Sequence, residues 1–337
     1  MNAAVTGGAG FLGQALLRLL AGRGGAVRAL VRNPKDEPRV RERGAMPIPG
    51  DLTVPGACDR LAEPGSVVFH LAARVDMAGR WAEFQRHTID GTRNLLASVL
   101  PRRPARVVYA SSAGVYLHPR VRPPVSADRT PARPWRGNPY GRAKLAAEEL
   151  VRTQCDRAGV SWTILRLGFL YGPGNRAILS HFVPLARAGK VQIIGRGDNR
   201  IASLYVDDAA EALVLAAAHP AADRQIYDVA SDEHVTQTDY LNGTADAMGL
   251  RRPSRHAPAR VAMIAAAVVE WLARLTGGSP PFTRSVVMLM GADQQVDCAR
   301  ITRDLGWRPK TRFADGVAVM TQWHREHPAR PLPAVIR

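Results

Sequence analysis

Cysteine, lysine and long apolar runs are all scarce in this sequence of 337 residues. Its three cysteines, Cys58, Cys155 and Cys298, are odd in number and far apart, which argues against a disulfide framework and against a cysteine-ligated metal site. The histidines show no ligand spacing either, so we predict no metal site. This cysteine usage is typical of a reducing compartment, and we expect a cytoplasmic protein.

No charged segment followed by an apolar stretch precedes the first predicted strand, so the sequence predicts no signal peptide. The longest apolar run, residues 261–273, contains Glu270 and is shorter than the ~20 helical residues that span a bilayer. Three interpretations stay open for the apolar helix at 261–275: core, a lid over an apolar substrate, or an interfacial helix. Membrane contact is the least favoured of the three.

Acidic residues are outnumbered, since 46 Lys and Arg against 29 Asp and Glu give a formal net charge of +17. Nearly all of the basic residues are arginines, scattered rather than grouped in one block. No zinc-finger spacing, aromatic platform motif or basic tail accompanies the charge. We therefore expect no nucleic-acid partner.

Three glycines near the start of the chain, Gly7, Gly10 and Gly13, follow a short apolar strand and begin an apolar helix. The first permits a tight turn, the second lets the backbone approach a pyrophosphate, and the third lets the helix pack closely on the strand. The helix N-terminus supplies free N–H groups, so Phe11 and Leu12 belong to the predicted cofactor site.

The second predicted strand, residues 26–31, ends at Arg32, about 20 residues beyond the last glycine, where the residue type selects the cofactor. An acidic residue there binds the ribose of NAD, whereas an arginine can hold the 2′-phosphate of NADP. We therefore predict NADP(H) rather than NAD, with Arg32 as the main phosphate ligand and Lys35 as a weaker candidate.

The next predicted strands end in residues suited to a cofactor. Asp51 and Leu52 follow the third strand, and Asp51 is placed to accept a hydrogen bond from the adenine amino group. Ala72 and Ala73 follow the fourth strand and are small enough for the backbone to pass the cofactor. For Asp51, a plain turn carboxylate is an equally good interpretation.

Acid–base chemistry is predicted at two later places. Ser111 and Ser112 end a core strand, and Tyr140 and Lys144 lie four residues apart, on one face of a predicted helix. A phenol is protonated at neutral pH, and a nearby ammonium favours its ionised form, so Tyr140 can exchange a proton with a carbonyl or an alcohol.

These motifs, in this order and spacing, resemble the extended short-chain dehydrogenase/reductases. The resemblance covers nearly the whole chain and rests on residues 6–13, 50–52, 70–73, 111–116, 140–144, 165–174, 204–210 and 305–309.

The resemblance implies a role for each catalytic residue. Ser112 hydrogen-bonds the substrate oxygen, Tyr140 donates the proton, and Lys144 binds the nicotinamide ribose and eases ionisation of the tyrosine. Ser111 is expected to be structural. The chain departs from the family pattern at Thr88, where an asparagine often counted with the catalytic set is usual.

The predicted architecture is α/β: a Rossmann-type doubly wound parallel sheet with a smaller C-terminal substrate lobe. We expect residues 1–171 to form the NADP-binding domain, with 200–230 returning to complete the sheet, and 172–199 with 231–330 to form the lobe. The loop 117–138 either covers the substrate site or is a plain surface loop. A homodimer through helices at about 82–100 and 140–158 is the family expectation.

The branch that holds 3β-hydroxysteroid dehydrogenases and 2-alkyl-3-oxoalkanoate reductases resembles this chain most. It implies an oxidoreductase that interconverts a hydrophobic ketone and a secondary alcohol. One alternative is a nucleotide-sugar epimerase or dehydratase with tightly bound NAD. Ile201, Ala202 and Ser203 stand where such enzymes carry a diphosphate-binding arginine motif, so the arginine is missing unless Arg200 replaces it with a shift of one. A non-catalytic NADP-sensing regulator is a remoter alternative.

Overall fold

A computed structural model gives the fold and describes residues 1–75, 79–175, 182–276, 278, 280 and 282–327. The chain divides into two compact units. The first contains Met1–Gly168, Val206–Ala230 and Val296–Arg308, and the second contains Phe169–Tyr205, Ser231–Gln295 and the described residues from Pro309 onward. Val296–Arg308 thus falls in the first unit, whereas the sequence-based division had it in the lobe.

The strands are short and mostly buried. They are β1 (Ala3–Thr6), β2 (Val27–Val31), β3 (Met46–Pro49), β4 (Val67–His70), β5 (Arg106–Ser112), β6 (Ser161–Leu167), β7 (Phe169–Tyr171), β8 (Ile193–Ile194), β9 (Ser203–Tyr205), β10 (Gln225–Val229) and β11 (His256–Ala257).

The helices lie between these strands or follow them. They are α1 (Phe11–Ala21), α2 (Glu37–Arg41), α3 (Trp81–Phe84), α4 (Gly91–Val99), α5 (Pro139–Ala158), α6 (Val183–Arg187), α7 (Val206–Ala218), α8 (Gln237–Ala247), α9 (Ala259–Thr276), α10 (Arg284–Gly291), α11 (Ala299–Leu305) and α12 (Phe313–Glu326).

Seven of the described strands form the parallel sheet of the first unit, in the order β10-β6-β5-β4-β1-β2-β3. Strand order reverses at β1, which pairs with β2 on one side and with β4 on the other. In sheets of this kind, ligands bind outside the carboxyl ends of the strands at the reversal. The predicted Rossmann-type fold is confirmed.

Apolar helix faces cover this sheet. Leu16, Leu17 and Leu20 of α1 are buried, and so are Leu95 and Leu96 of α4. The helix predicted at about 82–100 is interrupted, since residues Gln85–Asp90 form a π-helical turn between α3 and α4. Inside this region the Thr92 hydroxyl donates to the Thr88 carbonyl at 2.6 Å.

The second unit has an aromatic core and two small sheets. β7 pairs with β9, and β8 pairs with β11. Helix α9 packs against α10 through Ala262, Ala266 and Val287. None of the described helices combines the length and the apolarity that a bilayer span requires. The aromatic core contains the rings of Phe169, Tyr171, Tyr205, Tyr240 and Phe313.

Candidate active site

The glycine turn at the carboxyl end of β1 is closely packed. Gly7 has φ +75°, and a Cβ added to it would lie 2.9 Å from the backbone nitrogen of Ala72. A Cβ on Gly13 would overlap the Gly7 carbonyl oxygen. The turn therefore requires glycine at both positions, and the backbone of Ala72 passes directly beside it.

The turn leads into the N-terminus of α1, where Gly10 is the N-cap residue. Gly10 has no side chain to accept from the first backbone N–H groups of the helix, which begins at Phe11 and continues through Leu12. Those donors and the positive end of the helix dipole suit a pyrophosphate. The residues present thus fit the dinucleotide that the sequence predicts.

A buried hydrogen-bond chain, not predicted from the sequence, holds this corner of the sheet. The His70 ring accepts or donates at both nitrogens, to the Thr6 hydroxyl at 2.7 Å and to the Thr92 hydroxyl at 2.9 Å. The Ala72 amide in turn donates to Thr6 Oγ1 at 3.2 Å. Burial and the charge of Lys144 lower the pKa of His70 to about 3. The ring is therefore neutral and joins β1, β4 and α4.

Arg32 and Asp51 lie at neighbouring strand ends, near enough to interact electrostatically. Burial raises the pKa of Asp51, but hydrogen bonds from Thr53 and the positive charges of Arg32 and His87 outweigh it, so the pKa lies below its usual value. The Thr53 amide donates to Asp51 Oδ1 at 2.9 Å. Asp51 thus closes a local turn and remains ionised.

Arg32 is exposed, and no carboxylate among the described residues forms an ion pair with it. Leu52 is buried, and its carbonyl accepts from the Asn94 side chain at 2.8 Å, which anchors the β3 end to α4. Ala73 is half-buried and follows Ala72 in the segment after β4. The structure therefore groups the predicted adenosine-side residues at the ends of β2, β3 and β4.

Ser112 and Tyr140 come together around Gly114. A Cβ on Gly114 would lie 3.2 Å from Ser112 Oγ and 3.6 Å from the Tyr140 ring. Ser112 ends β5, and its hydroxyl accepts from the Gly114 amide at 3.1 Å. Tyr140 lies in the first turn of α5. The two side chains, 28 residues apart in sequence, thus share one site.

Asn138, which the sequence analysis did not single out, fixes this arrangement. It is buried at the N-cap of α5, where its side chain accepts from the Gly141 amide and donates to the Gly114 carbonyl, both at 2.9 Å. An asparagine immediately before a proline at the start of a helix is a recognisable N-cap pattern. The cap ties the helix that carries Tyr140 to the turn that follows Ser112.

Burial sets the protonation of the tyrosine. It raises the pKa of Tyr140, while hydrogen bonding with Ser112 acts in the opposite direction. The phenol is therefore protonated at neutral pH. That Lys144 favours the ionised form of Tyr140 stays a prediction.

Lys144 lies one helical turn below Tyr140 and is buried. Its Nζ donates to the Ala110 carbonyl at 2.7 Å and lies 4.8 Å from the centre of the Tyr109 ring. Burial lowers the pKa of Lys144 to about 7, and the negative charge of Glu148 offsets part of this shift. The Lys144 side chain thus links α5 to β5, and its pKa lies close to neutral pH.

A buried ion pair supports the same helix from behind. Arg166 of β6 donates to both carboxylate oxygens of Glu148, at 2.7 and 3.1 Å, and Ser111 donates to Glu148 as well. Arg166 also donates to the Tyr116 hydroxyl at 2.7 Å, which donates to Asp228 at 3.0 Å. Ser111 is thus a structural group here, as the family resemblance implies.

Asp228 connects this network to the arginine-rich loop at 117–138. It accepts from the backbone amide of Ala127 within that loop. Burial raises the pKa of Asp228 to about 7, although Arg166 acts against the shift. Part of the loop is therefore anchored to the sheet rather than free at the surface.

Glu148 could have been found in the sequence, since it lies four residues after Lys144 on the same helical face.

Thr88, the departure from the family pattern, has a defined backbone partner. It is buried in the π-helical turn, and its hydroxyl accepts from the Arg74 amide at 3.2 Å. The threonine thus anchors the segment that follows β4, which contains Ala72 and Ala73.

A dinucleotide-type glycine turn lies at the strand-order reversal of a Rossmann-type sheet, and Ser112, Tyr140 and Lys144 lie where α5 meets the carboxyl end of β5. A family model described as the NAD dependent epimerase/dehydratase family matches residues 3–230, and the chain belongs to that family. The resemblance to extended short-chain dehydrogenase/reductases is therefore confirmed, and the chain is an oxidoreductase.

Two relatives cover almost the whole chain. A 2-alkyl-3-oxoalkanoate reductase of Stenotrophomonas maltophilia is 29% identical over 94% of this chain and 97% of the relative. A ceramide reductase of Caulobacter vibrioides is 31% identical over 96% of this chain and 94% of the relative. The solved structure of MoeE5 in complex with UDP-glucuronic acid and NAD is also similar, at 27% identity and a TM-score of 0.74, with 97% of this chain and 100% of that chain covered.

Proposed function

We propose that this protein is an NADP(H)-dependent oxidoreductase that interconverts a ketone and a secondary alcohol on a hydrophobic substrate. The observation that carries the proposal is the convergence of Ser112 and Tyr140 around Gly114, with Lys144 one turn away and anchored on Ala110. This arrangement gives a substrate oxygen one proton donor and one further hydrogen-bond donor.

The three side chains take separate roles in ketone reduction. Tyr140, protonated at neutral pH, transfers its proton to the ketone oxygen as negative charge develops there. Ser112 donates a hydrogen bond to the same oxygen and orients it. Lys144 fixes the position of α5 relative to β5 through its bond to Ala110. Its amine would bind the ribose of the cofactor and help to return a proton to Tyr140.

The cofactor site would bind NADP(H) along the glycine turn. Gly7, Gly10, Gly13 and the first amides of α1 would hold the pyrophosphate, and Arg32 would pair with the 2′-phosphate. When bound, the nicotinamide supplies the hydride in reduction and accepts it in oxidation. The exposed guanidinium of Arg32, without an ion-pair partner among the described residues, supports NADP(H) over NAD.

A hydrophobic substrate is supported by the relatives, whose names specify a 2-alkyl-3-oxoalkanoate and a ceramide. Both names describe reductases, one of an alkyl-substituted 3-oxoalkanoate and one of a lipid. The similarity extends over nearly the full length of each relative, so it includes the unit that would select the substrate.

A nucleotide-sugar epimerase or dehydratase is the second candidate, supported by the similarity to MoeE5. Against it, Ile201, Ala202 and Ser203 are uncharged, so only Arg200, shifted by one position, is left to pair with a diphosphate. An NADP-sensing regulator has no chemical use for a serine, a tyrosine and a lysine gathered at one site.

The test is a fluorimetric titration of the purified protein with NADPH and NADH, followed by addition of steroid and 3-oxoacid ketones. The proposal predicts tighter binding of NADPH and net oxidation of NADPH by a long-chain ketone. Co-purifying NAD that no ketone oxidises or reduces, together with binding of a UDP-sugar, would favour the epimerase. NADPH binding without turnover of any ketone would favour the regulator.

A further inference from the structure

Helix α9 presents an unusual face to solvent. Between residues 261 and 275, every exposed side chain that the structure describes is apolar. Ile264, Trp271 and Leu275 are 67%, 56% and 66% exposed. The spacing follows the helical repeat, so these residues form one continuous stripe. We name it the α9 apolar face, and it comprises Val261, Ile264, Ala265, Val268, Trp271, Leu272 and Leu275.

The opposite side of α9 packs against α10. Ala262 and Ala266 are buried against α10, so the core interpretation of this helix holds only for that side. Glu270, the acidic residue within the helix, is turned inward, where Arg284 donates to its carboxylate at 2.9 Å. The α9 apolar face therefore carries no negative charge.

Arginines precede this face in the chain. Arg251, Arg255 and Arg260 are exposed in the segment that leads into α9 and at its first turn. Among the described residues, no carboxylate forms an ion pair with any of these three, whereas Arg252 pairs with Asp246 at 2.8 Å. An apolar stripe flanked by arginines is complementary to an anionic lipid surface, where side chains enter the acyl boundary and guanidinium groups meet phosphates.

A second copy of the chain fits this face less well. The stripe is about 20 Å long and about 10 Å wide. One helical stripe of this size supplies less than the ~800 Å² of accessible surface that each partner of a stable interface buries. Side-by-side pairing in parallel would also bring the arginines of two copies together. A bilayer needs no such area from the protein, and Trp271 is a residue type favoured at membrane interfaces.

We propose that the α9 apolar face docks the protein onto an anionic bilayer surface, with α9 lying in the plane of the membrane. The helix inserts its apolar side chains into the headgroup region, and Arg251, Arg255 and Arg260 contact lipid phosphates. Docking of this kind would bring the enzyme to substrates that reside in lipid, but the inference depends on α9 and the arginines that precede it, and not on the proposed activity.

The test is co-sedimentation of the full-length protein with vesicles, without cofactor or substrate. Two compositions are compared: phosphatidylcholine alone, and phosphatidylcholine mixed with phosphatidylglycerol. The variant Ile264→Gln/Val268→Gln removes two side chains of the face. The matched control is Met46→Gln/Val54→Gln, which changes two side chains with 55% and 53% exposure in the first unit.

We expect the wild-type protein and the control to bind the mixed vesicles, with weaker binding at high salt and to phosphatidylcholine alone. The Ile264→Gln/Val268→Gln variant should bind the mixed vesicles at least about tenfold more weakly than the wild-type protein does. The variant Arg255→Ser/Arg260→Ser removes two exposed charges and tests the electrostatic contribution to binding. It should reduce the difference in affinity between the mixed vesicles and those of phosphatidylcholine alone.

Absence of wild-type binding, or an equal loss in the control variant, would overturn the proposal. Sedimentation velocity distinguishes the competing occupant. A dimer that Ile264→Gln/Val268→Gln dissociates, in a protein that does not bind vesicles, would assign the face to a second copy instead.

Discussion

The Nζ of Lys144 donates a hydrogen bond to the Ala110 carbonyl at 2.7 Å, across the boundary between helix α5 and strand β5. Tyr140 lies one turn before Lys144 on the helix, and Ser112 lies two residues after Ala110 on the strand. The bond therefore sets the relative position of the two elements that carry the proposed proton donor and its hydrogen-bonding partner.

The lowered pKa of Lys144 predicts a pH dependence of stability. An unfolded lysine has a pKa of about 10.4, whereas burial lowers that of Lys144 to about 7. Between these values the unfolded chain binds more protons than the folded one, so the free energy of unfolding contributed by this group rises with pH. Urea unfolding should show wild-type stability rising relative to Lys144→Met from pH 7 to about 10. A constant difference across that range would contradict the assignment.

The buried ion pair predicts unequal effects for two neighbouring glutamates. Glu148→Gln leaves the Arg166 guanidinium buried without its countercharge, and we expect a loss of about 3–5 kcal/mol in unfolding free energy. Glu149→Gln alters an exposed pair with Arg152 and should cost no more than ~0.5 kcal/mol. Equal effects in denaturant unfolding would show that the pair does not support α5.

Gly13 in α1 and Gly22 at its C-terminal end test whether a glycine is required by close packing. Gly13→Ala places a methyl group on the Gly7 carbonyl, so cofactor binding should be lost or stability reduced by more than about 3 kcal/mol. Gly22→Ala meets its nearest atom, the Leu19 carbonyl oxygen, at 3.9 Å and should be neutral or slightly stabilising. Melting temperatures and NADPH titrations check both, and tolerance of Gly13→Ala would disprove the close turn.

Cofactor choice is tested at the end of β2. Arg32→Ser should weaken NADPH binding by about 10- to 100-fold through loss of a charge-assisted phosphate contact, and should leave NADH binding nearly unchanged. Lys35→Ser should have a smaller effect on NADPH. If Arg32→Ser weakens both cofactors equally, the arginine does not read the 2′-phosphate.

The sequence predicted the sheet and the glycine turn because those features follow from local patterns. A strand, a spaced set of glycines and a helix are contiguous, and the backbone needs no distant partner to define them. Likewise, the four-residue spacing of Tyr140 and Lys144 fixed their common helical face. In each case the residues that matter are neighbours in the chain or one helical turn apart.

What the sequence left out depends on contacts between distant segments. The pairing of Thr6 with His70 spans 64 residues, and that of Tyr116 with Asp228 spans 112. In both pairs, the residue type alone does not show which distant residue it contacts. The interruption of the helix predicted at about 82–100 was missed because periodicity alone does not show where a π-helical turn falls. For α9 the sequence left core, lid and interfacial helix open, since an apolar helix has the same composition whether it is buried or not.

The most direct test of the central claim is turnover of NADPH with a long-chain 3-oxoacid ketone by the wild-type protein and by Tyr140→Phe. Tyr227→Phe is the control, because it removes a phenol of the same unit that donates to the Ala221 carbonyl. We predict that Tyr140→Phe lowers the rate by about 10²- to 10⁴-fold, as expected for loss of a general acid, with NADPH affinity unchanged. The control should retain wild-type turnover. Wild-type rates in Tyr140→Phe would contradict the account.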